Sequence, residues 1–386
     1  MMNFSDLMTN NKRRKLKIYV ICLSLTGIRL KKILSEAFRL GGFLQLLIFL
    51  LPNSNSSQII TPEKIFGKYR QFVWQDQHGL PQNGISKIVQ TPDGYLWLAI
   101  AEGVVRFDGV QFTAFDTGNT PEIKSNNVQA LLVSRDGTLW IGTHGGGLTS
   151  FKDGNFTNYS VEQGLSDSHI KTLFEDSIGN IWIGTDGGGL NYFRDGTFTA
   201  FTKANGLPND RIGAIAEDGE GNLWIGTSDG LVLLESEKAR KREGETNSEI
   251  PLTVFTTKDG LAGSSVRALF LDREKNLWIG GSGGLSRYYD GKFSIIDEQE
   301  GFKPSEIWEI SQDAEGAIWI GTAGEGVFRF KNWRFESVSS QKGLINDVVQ
   351  AVYPDVEGNI WLGTSGGGLI EIKKRVDLLE DQINKK

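Results

Sequence analysis

The chain has 386 residues, of which 39% are hydrophobic and 23% charged, a composition typical of a globular protein that excludes a largely disordered one. The net charge is −6 and no basic field covers the body of the chain, which argues against nucleic acid as a partner. The 48 glycines and 10 tryptophans indicate many tight turns and the repeated use of one large aromatic side chain.

We interpret the first 58 residues as an export signal or a membrane anchor. Five Lys and Arg residues within positions 12–17 precede an apolar run at residues 18–28, and further basic residues precede a second run at 43–51. Each run is shorter than the roughly 20 residues that a membrane-spanning helix needs. Basic residues, a short apolar core and then small polar residues (52–58) follow the order of a secretory signal. We therefore expect a periplasmic or otherwise extracytoplasmic protein, with a cytoplasmic disordered arm as the alternative.

An internal repeat fills the chain from residue 79 onwards. It is marked by seven tryptophans: Trp97, Trp140, Trp182, Trp224, Trp278, Trp319 and Trp361. Their successive spacings are 43, 42, 42, 54, 41 and 42 residues, so seven similar units follow one another. In a unit such as residues 164–202, turns rich in Gly, Asp and Asn separate four short stretches of alternating hydrophobicity, which predicts four antiparallel strands. Seven such units predict an all-β fold, a seven-bladed β-propeller.

The two ends of the array complement each other. The last unit, residues 348–374, contains three predicted strands, and the missing fourth strand is found at residues 69–75. We therefore expect an N-terminal strand to close the last blade, which removes an exposed sheet edge. The propeller is predicted to span residues 69–374 and to be followed by a short polar tail at 375–386.

The longest spacing reflects an insertion in blade 4. Its charged segment, residues 235–250, falls between the third and fourth predicted strands of that blade. We interpret it as a solvated loop, with a partner-docking loop as the alternative.

The repeats resemble those of the two-component regulator propeller family. The resemblance rests on GLPQNGISKIVQTPDGYLWLAIAEGVVRFDGVQF (79–112) and on SRDGTLWIGTHGGGL, DSIGNIWIGTDGGGL and DVEGNIWLGTSGGGL, and it covers residues 69–374. It implies an extracytoplasmic sensor propeller of the kind that histidine kinases, diguanylate cyclases and transcription regulators carry. The sequence contains no kinase or cyclase motif, so a sensory role implies a partner, such as a membrane-bound kinase or cyclase, that supplies the output. The family also suggests a small-molecule or carbohydrate ligand.

Three local motifs are interpreted as structural turns. GGSGG at residues 280–284 has the spacing of a serine-hydrolase elbow, but it lacks the helix, His and acid that Ser282 would need as a nucleophile. The GTxGGG turns lack the Lys and the helix of phosphate-binding loops, and the D-x-x-G-N turns lack the ligand spacing of a calcium loop. We therefore predict no catalytic residue, no cofactor and no metal site.

One face of the predicted propeller is the best candidate for binding. Because strand direction alternates, the GL turns before the first strands and the GTxGGG turns after the second strands open on the same side, around the mouth of the central channel. The candidate ligand-binding residues there are His144, His169, Asp186, Asn127, Asp210, Arg211, Arg267, Glu306 and Asn346. Unpartnered surface histidines are the simpler interpretation of His144 and His169.

The resulting hypothesis is a non-catalytic sensory or ligand-binding propeller. One alternative is a lyase-like propeller enzyme that uses His144, His169 and Asp186 as acid–base groups. The other alternative is a scaffold for protein–protein interaction.

Overall fold

The computed structural model describes residues 69–235, 252–303 and 305–374, and the structural findings below refer to these ranges. Three predicted segments lie outside these ranges: the N-terminal segment 1–58, the insertion 235–250 except for Glu235, and the tail 375–386. The described residues form seven four-stranded antiparallel sheets, and the innermost strands of successive sheets contact one another in a closed ring. The all-β fold, the seven blades and the four strands per blade are thus confirmed. None of the described helices is long and apolar enough to cross a membrane.

The strands run from the channel outwards in chain order. Blade 1 contains β2 (Ile85–Gln90), β3 (Leu96–Ile100), β4 (Gly103–Phe107) and β5 (Phe112–Phe115). Blade 2 contains β6 (Val128–Val133), β7 (Leu139–Thr143), β8 (Leu148–Lys152) and β9 (Asn155–Tyr159). Blade 3 contains β10 (Ile170–Glu175), β11 (Ile181–Thr185), β12 (Leu190–Arg194) and β13 (Thr197–Phe201). Blade 4 contains β14 (Ile212–Glu217), β15 (Leu223–Thr227), β16 (Gly230–Leu234) and β17 (Thr253–Phe255).

The remaining blades follow the same plan. Blade 5 contains β18 (Val266–Leu271), β19 (Leu277–Gly281), β20 (Gly284–Tyr289) and β21 (Lys292–Ile296). Blade 6 contains β22 (Ile307–Gln312), β23 (Ile318–Thr322), β24 (Val327–Lys331) and β25 (Arg334–Val338). Blade 7 contains β26 (Val349–Pro354), β27 (Ile360–Thr364) and β28 (Leu369–Lys374), and β1 (Tyr69–Trp74) is its fourth strand.

Strand β1 closes the ring, as predicted. It pairs antiparallel with β28, and Trp74 lies opposite Leu369. The ring of Trp74 lies 5.5 Å from that of Trp361 in blade 7 and 5.4 Å from that of Phe107 in blade 1. The first strand of the chain therefore completes the last blade and packs it against the first blade.

The second strand of each blade is buried on both faces, because each blade is covered by its two neighbours. Every residue of these seven strands is buried, and the repeat tryptophans are at most 8% exposed. Burying one indole removes roughly 200 Å² from water, which contributes up to about 5 kcal/mol. The glycine that follows the tryptophan lets neighbouring blades approach closely: a Cβ on Gly184 would lie 2.7 Å from Cγ2 of Ile212 in the next blade.

The hairpins between first and second strands hold the tryptophans in place. In blade 3, Asp176 accepts hydrogen bonds from the backbone N–H of Asn180 at 2.8 Å and from Nε1–H of Trp182 at 2.9 Å. In the other blades, the indole N–H donates to the side chain six residues earlier: Thr91, Ser134, Asp218, Asp272, Asp313 or Asp355. The indole N–H, which would be costly if buried without a partner, is satisfied in every blade.

Short 3-10 turns place the GL sequences at the channel mouth. In blade 2, Ser160 caps the turn Val161–Gln163, which ends at Gly164 with φ 104°, and the following Leu165 is buried between blades. The equivalent turns are Asp76–His78, Lys203–Asn205, Thr257–Asp259, Glu298–Glu300 and Ser340–Lys342. The left-handed glycine reverses the chain and the buried side chain anchors the reversal, so the inner strands that follow these six turns, in all blades but blade 2, begin at the same face.

Candidate ligand site at the channel mouth

The inner strand of every blade begins with a β-bulge. In blade 3, the pairing of β10 with β11 passes from Ile170 to Thr172 and leaves Lys171 out of register. In the other six blades the bulge leaves out Ser86, Gln129, Gly213, Arg267, Trp308 and Gln350. A bulge re-aims a side chain away from the regular alternation of a strand. All seven of these residues line one cavity at the centre of the propeller.

This mouth cavity has a volume of about 770 Å³ and is lined by residues of all seven blades. A second, more apolar cavity lies at the other end of the channel, where Phe174, Phe270 and Tyr353 line the wall. Lys87 and Glu309 line both cavities and form an ion pair between blades 1 and 6. The pair spans the channel at the level where the two cavities meet, since Leu131, Leu173, Ile215 and Leu269 also line both.

One wall of the mouth cavity carries two cations that share a carboxylate. Asp186 Oδ1 lies 3.5 Å from Arg211 Nε, and Asp186 Oδ2 lies 3.7 Å from Lys171 Nζ. Both distances exceed the length of a good hydrogen bond. The N–H groups of Lys171 and Arg211 therefore remain available to a ligand.

An aromatic and charged cluster forms another part of the wall. Arg267 pairs with Glu306, and its guanidinium carbon lies 5.4 Å from the ring centroid of Trp308. The indole Nε1 of Trp308 is buried and has no hydrogen-bond partner among the described residues. An unpaired buried donor is costly, so Trp308 is held in the wall at some expense of stability.

The fold brings the two mouth histidines together. The ring centroids of His144 and His169 lie 4.4 Å apart and the rings are nearly perpendicular, at 81°. His169 Nδ1 lies 2.7 Å from Asp167 Oδ1, which orients the imidazole and leaves Nε2 for another contact. The simpler interpretation, in which both histidines lack a partner, is wrong because each ring contacts the other. Asp167, which the sequence analysis did not single out, is the carboxylate of this cluster, whereas Asp186 contacts the cations described above.

The nine predicted site residues fall into three groups. Four of them line the mouth cavity: Asn127, Asp186, Arg211 and Arg267. Three adjoin it: Glu306 pairs with Arg267, His144 N–H donates to the carbonyl of Asn127, and the carbonyl of His169 accepts from Asp186 N–H. Asp210 and Asn346 instead hold backbone turns, since Asp210 Oδ1 accepts from Lys203 N at 2.7 Å and Asn346 Oδ1 from Val348 N at 2.8 Å.

The sequence analysis missed most of the bulge residues. Lys171, Trp308, Gln129 and Gln350 each follow the first apolar residue of an inner strand. The repeats carry a signal for them: this position is Ser, Gln, Lys, Gly, Arg, Trp or Gln in the seven units, while the preceding residue is always Ile or Val. Variation beside a constant scaffold position is typical of residues that face a site rather than the core.

The GTxGGG turns have a structural role, as predicted. Thr143 Oγ1 donates to the carbonyl of Gly147 and accepts from the backbone N–H of Gly146, both at 3.1 Å. Ser282 lies in the equivalent turn between β19 and β20, which is followed by a strand and not by a helix. In the described part of the chain, no group of three or more His, Cys, Asp or Glu residues is placed to hold a metal ion.

The repeats match a known sequence family. The model described as two component regulator propeller matches residues 122–145, 164–187, 206–229, 260–283, 301–324 and 343–366. Each match extends from the turn before an inner strand to the turn after the second strand. The chain belongs to the two-component regulator propeller family. Blade 1 is not among the matched segments, and there WLAI at residues 97–100 stands in place of WIGT.

Several solved structures are similar to this family member. The extracellular domain assigned to the hybrid two-component system BT3049 of B. thetaiotaomicron superposes with a TM-score of 0.68 and 25% identity, over 79% of this chain and 42% of that one. The extracellular domain assigned to the one-component system BT4673 of the same organism gives 0.63 and 21%, over 81% and 40%. The chain thus spans about two fifths of the length of these domains.

A second group of similar structures consists of enzymes. Virginiamycin B lyase from Staphylococcus aureus superposes with a TM-score of 0.60 and 16% identity, over 80% of this chain and 99% of that one. At this level of identity the similarity shows a shared fold. A comparison with curated proteins gives no match.

Proposed function

We propose that the protein is an extracytoplasmic sensory propeller that binds a small polar ligand in its mouth cavity. Family membership and the 25% identity to an extracellular two-component-system domain support this proposal. The observation that carries it is the ring of seven β-bulges, which places one residue per blade, six of them with side chains, at a single cavity. Bulges are over-represented beside functional sites, and the cavity volume is in the range of small-molecule sites.

The chemistry of the wall favours a ligand with several hydroxyl or carboxylate groups. Gln129 and Gln350 can donate to and accept from hydroxyls, and Lys171 and Arg211 can donate to anionic oxygens. The half-buried indole of Trp308 offers an apolar surface beside these groups. A short carbohydrate fragment meets these requirements.

Signalling by such a sensor requires an output domain. We propose that a membrane-bound kinase or cyclase, carried on a partner, supplies it. Ligand binding at the mouth would then change how the propeller contacts that partner.

A thermal-shift screen with mono- to tetrasaccharides, including uronic acids, tests the proposal. A ligand at 100 times its Kd adds about 2.7 kcal/mol to the free energy of unfolding, which raises the melting temperature measurably. We expect Lys171→Met and Arg211→Gln to lose most of this shift, while the exposed Lys258→Met, which removes the same charge outside the cavity, retains it. A ligand that stabilises the wild type and both cavity variants equally would contradict binding at the mouth.

The histidine cluster supports a second candidate, a lyase-type enzyme. His169 is oriented by Asp167 and contacts His144, an arrangement suited to proton transfer at the rim of the cavity. If the protein is an enzyme of this kind, a substrate found by activity screening should be turned over at least 100-fold more slowly by His169→Ala and by His144→Ala. If the protein is a sensor, no turnover is found and neither substitution removes the thermal shift completely.

A further inference from the structure

The outer hairpin of blade 6 contains a residue that the repeat does not explain. In blades 2, 3, 5 and 6, a two-residue loop joins the third strand to the fourth. Blades 2, 3 and 5 use Asp-Gly there, with positive φ at both residues, whereas blade 6 uses Asn332 and Trp333, with φ of 52° and 61°. Such loops favour glycine at the second position, and a bulky residue in this conformation is strained.

Burial does not compensate for this strain. Trp333 is 76% exposed. Its ring meets Phe330 edge-on with centroids 6.0 Å apart, and the guanidinium carbon of Arg287 in blade 5 lies 5.2 Å from the ring centroid. An exposed indole on a strained backbone lowers the stability of the isolated propeller, so packing within the chain is not a sufficient reason for it.

Trp333 stands at one end of a groove of about 550 Å³ between blades 5 and 6. Arg287 and Arg334 also line this groove, and Nε of Arg287 is buried with no hydrogen-bond partner among the described residues. Nearby, Arg329 pairs with Glu315 and Glu336, and Lys331 pairs with Glu315. Among the described residues, no carboxylate forms an ion pair with Arg287 or Arg334. The groove therefore offers an exposed indole and two guanidinium groups without an ion pair, together with the carboxylates of Glu298 and Glu300.

We propose that this Trp333 groove docks an extended segment of an acidic partner protein. A carboxylate of the segment would pair with Arg287 and Arg334, and an apolar side chain next to it would cover the indole. Trp, Tyr and Arg dominate the energetics of protein interfaces, and Tyr289, which is 52% exposed, lies at the adjacent hairpin of blade 5. Glu298 and Glu300 line the groove beyond β21, so the same segment would present a basic residue there.

Charge complementarity favours an acidic partner over a second copy of this chain. A two-fold contact that stacks the Trp333 side chains of two copies would also bring together their Arg287 side chains, which lie against that indole, and like charges at an interface are unfavourable. An acidic segment neutralises them instead. The groove lies at the outer hairpins and shares no lining residue with the mouth cavity, so this inference and the proposed sensory function can fail independently.

Fluorescence anisotropy of a labelled probe peptide tests the inference with the full chain. The probe alternates aspartate and phenylalanine and ends in lysine, and a control peptide replaces each aspartate by asparagine. We expect Trp333→Gly and Arg334→Glu each to weaken binding of the acidic probe at least tenfold, and a rise in salt from about 50 to 500 mM to weaken it as well. Val110→Ala, which alters an exposed apolar residue on the blade 1 hairpin, should leave binding unchanged.

Trp333→Gly also separates docking from packing. It creates an Asn-Gly loop with the preferred residues, so the thermal unfolding midpoint should stay the same or rise while binding is lost. Failure of the wild type to bind the acidic probe would overturn the inference. Three other results would also overturn it. In two of them Trp333→Gly binds the acidic probe as well as the wild type does, with or without a lower unfolding midpoint. In the third, the wild type binds polygalacturonate and not the peptide.

Discussion

The indole Nε1 of Trp182 donates a hydrogen bond to Oδ2 of Asp176, the residue six positions earlier, at 2.9 Å. The same carboxylate caps the hairpin between them through the backbone N–H of Asn180. One carboxylate therefore fixes both the turn and the indole that packs between two blades. This explains why the aspartate, the glycine of the turn and the tryptophan recur together in blades 3, 4, 6 and 7.

Loss of this carboxylate should destabilise the propeller. Asp176→Ala leaves the buried Trp182 N–H and the Asn180 N–H without their acceptor, and we expect the free energy of unfolding to fall by about 1–3 kcal/mol in urea titrations. Glu102→Ala, at an exposed carboxylate in the β3–β4 turn, serves as the control and should change it by less than about 0.5 kcal/mol. Equal effects of the two substitutions would show that the hydrogen bond to the indole is not important.

The glycine two residues after the tryptophan, present in blades 2–7, should not tolerate a methyl group where the next blade packs as closely as it does in blade 3. In Gly184→Ala, the new Cβ would lie 2.7 Å from Cγ2 of Ile212, so the adjacent blade must move and stability should fall by about 1–3 kcal/mol. Gly324→Ala is the matched control, because a Cβ there meets nothing within 4 Å. Chemical denaturation of both variants measures the difference, and a neutral Gly184→Ala would mean that the blades can separate at no cost.

Closure by β1 should depend on its tryptophan. Trp74→Ala removes the ring that packs against Trp361 and Phe107, and we expect a loss of about 3–5 kcal/mol. The exposed Trp333→Gly provides the comparison, since it should not lower the unfolding midpoint. A small effect of Trp74→Ala would indicate that blade 7 is stable without its N-terminal strand.

The ion pair between Lys87 and Glu309 can be tested by a double-mutant cycle. The side chains of Lys87 and Glu309 are 34% and 21% exposed, so solvent screens the pair and a coupling energy of about 0.5–1 kcal/mol is expected. Urea unfolding of Lys87→Met, Glu309→Gln and the double variant yields this energy, which should decrease at high salt. Zero coupling would show that Lys87 and Glu309 do not interact across the channel.

Glu371 should make stability depend on pH. Burial raises its pKa above the usual glutamate range, and Lys373, at 3.6 Å, opposes this effect only in part. For a carboxyl with a raised pKa in the folded state, the stabilising contribution is present below the ordinary pKa of about 4.3 and is lost as pH rises through the raised value. Glu371→Gln removes this loss, so its stability relative to the wild type should increase between pH 4 and pH 8 in urea titrations. A difference that does not vary with pH would contradict the raised pKa.

The fold was largely predictable from the sequence because its constraints are local and occur seven times. A strand buried on both faces must be apolar throughout, and a tight turn must contain Gly, Asp or Asn, so sequences such as NIWIGT repeat with the blade. The closing strand was predictable for the same reason, since one unit lacks a strand that the front of the array supplies. The hydrogen bond from Trp182 to Asp176 was missed because spacing alone does not reveal which atoms of a turn face the indole.

The candidate site was predictable as a region and not as a set of side chains. Strand direction fixes which loops surround the channel, and Asn127, Asp186, Arg211 and Arg267 line the mouth cavity. Alternation with period 2 does not anticipate a bulge, so Lys171 and Trp308 were overlooked, and Asp210 and Asn346 were chosen although they hold turns.

The sequence by itself determined the number of blades, the strand that closes the ring and the buried tryptophans between the blades, since short-range patterns of polarity encode all three. Only the tertiary structure decided that Lys87 pairs with Glu309 across the channel, that His169 meets His144 and Asp167, and that Arg287 lies over Trp333. These contacts join residues of different blades or depend on how a turn is folded. The distances in these contacts depend on how the closed ring brings the blades together, and the sequence of a single repeat does not determine that.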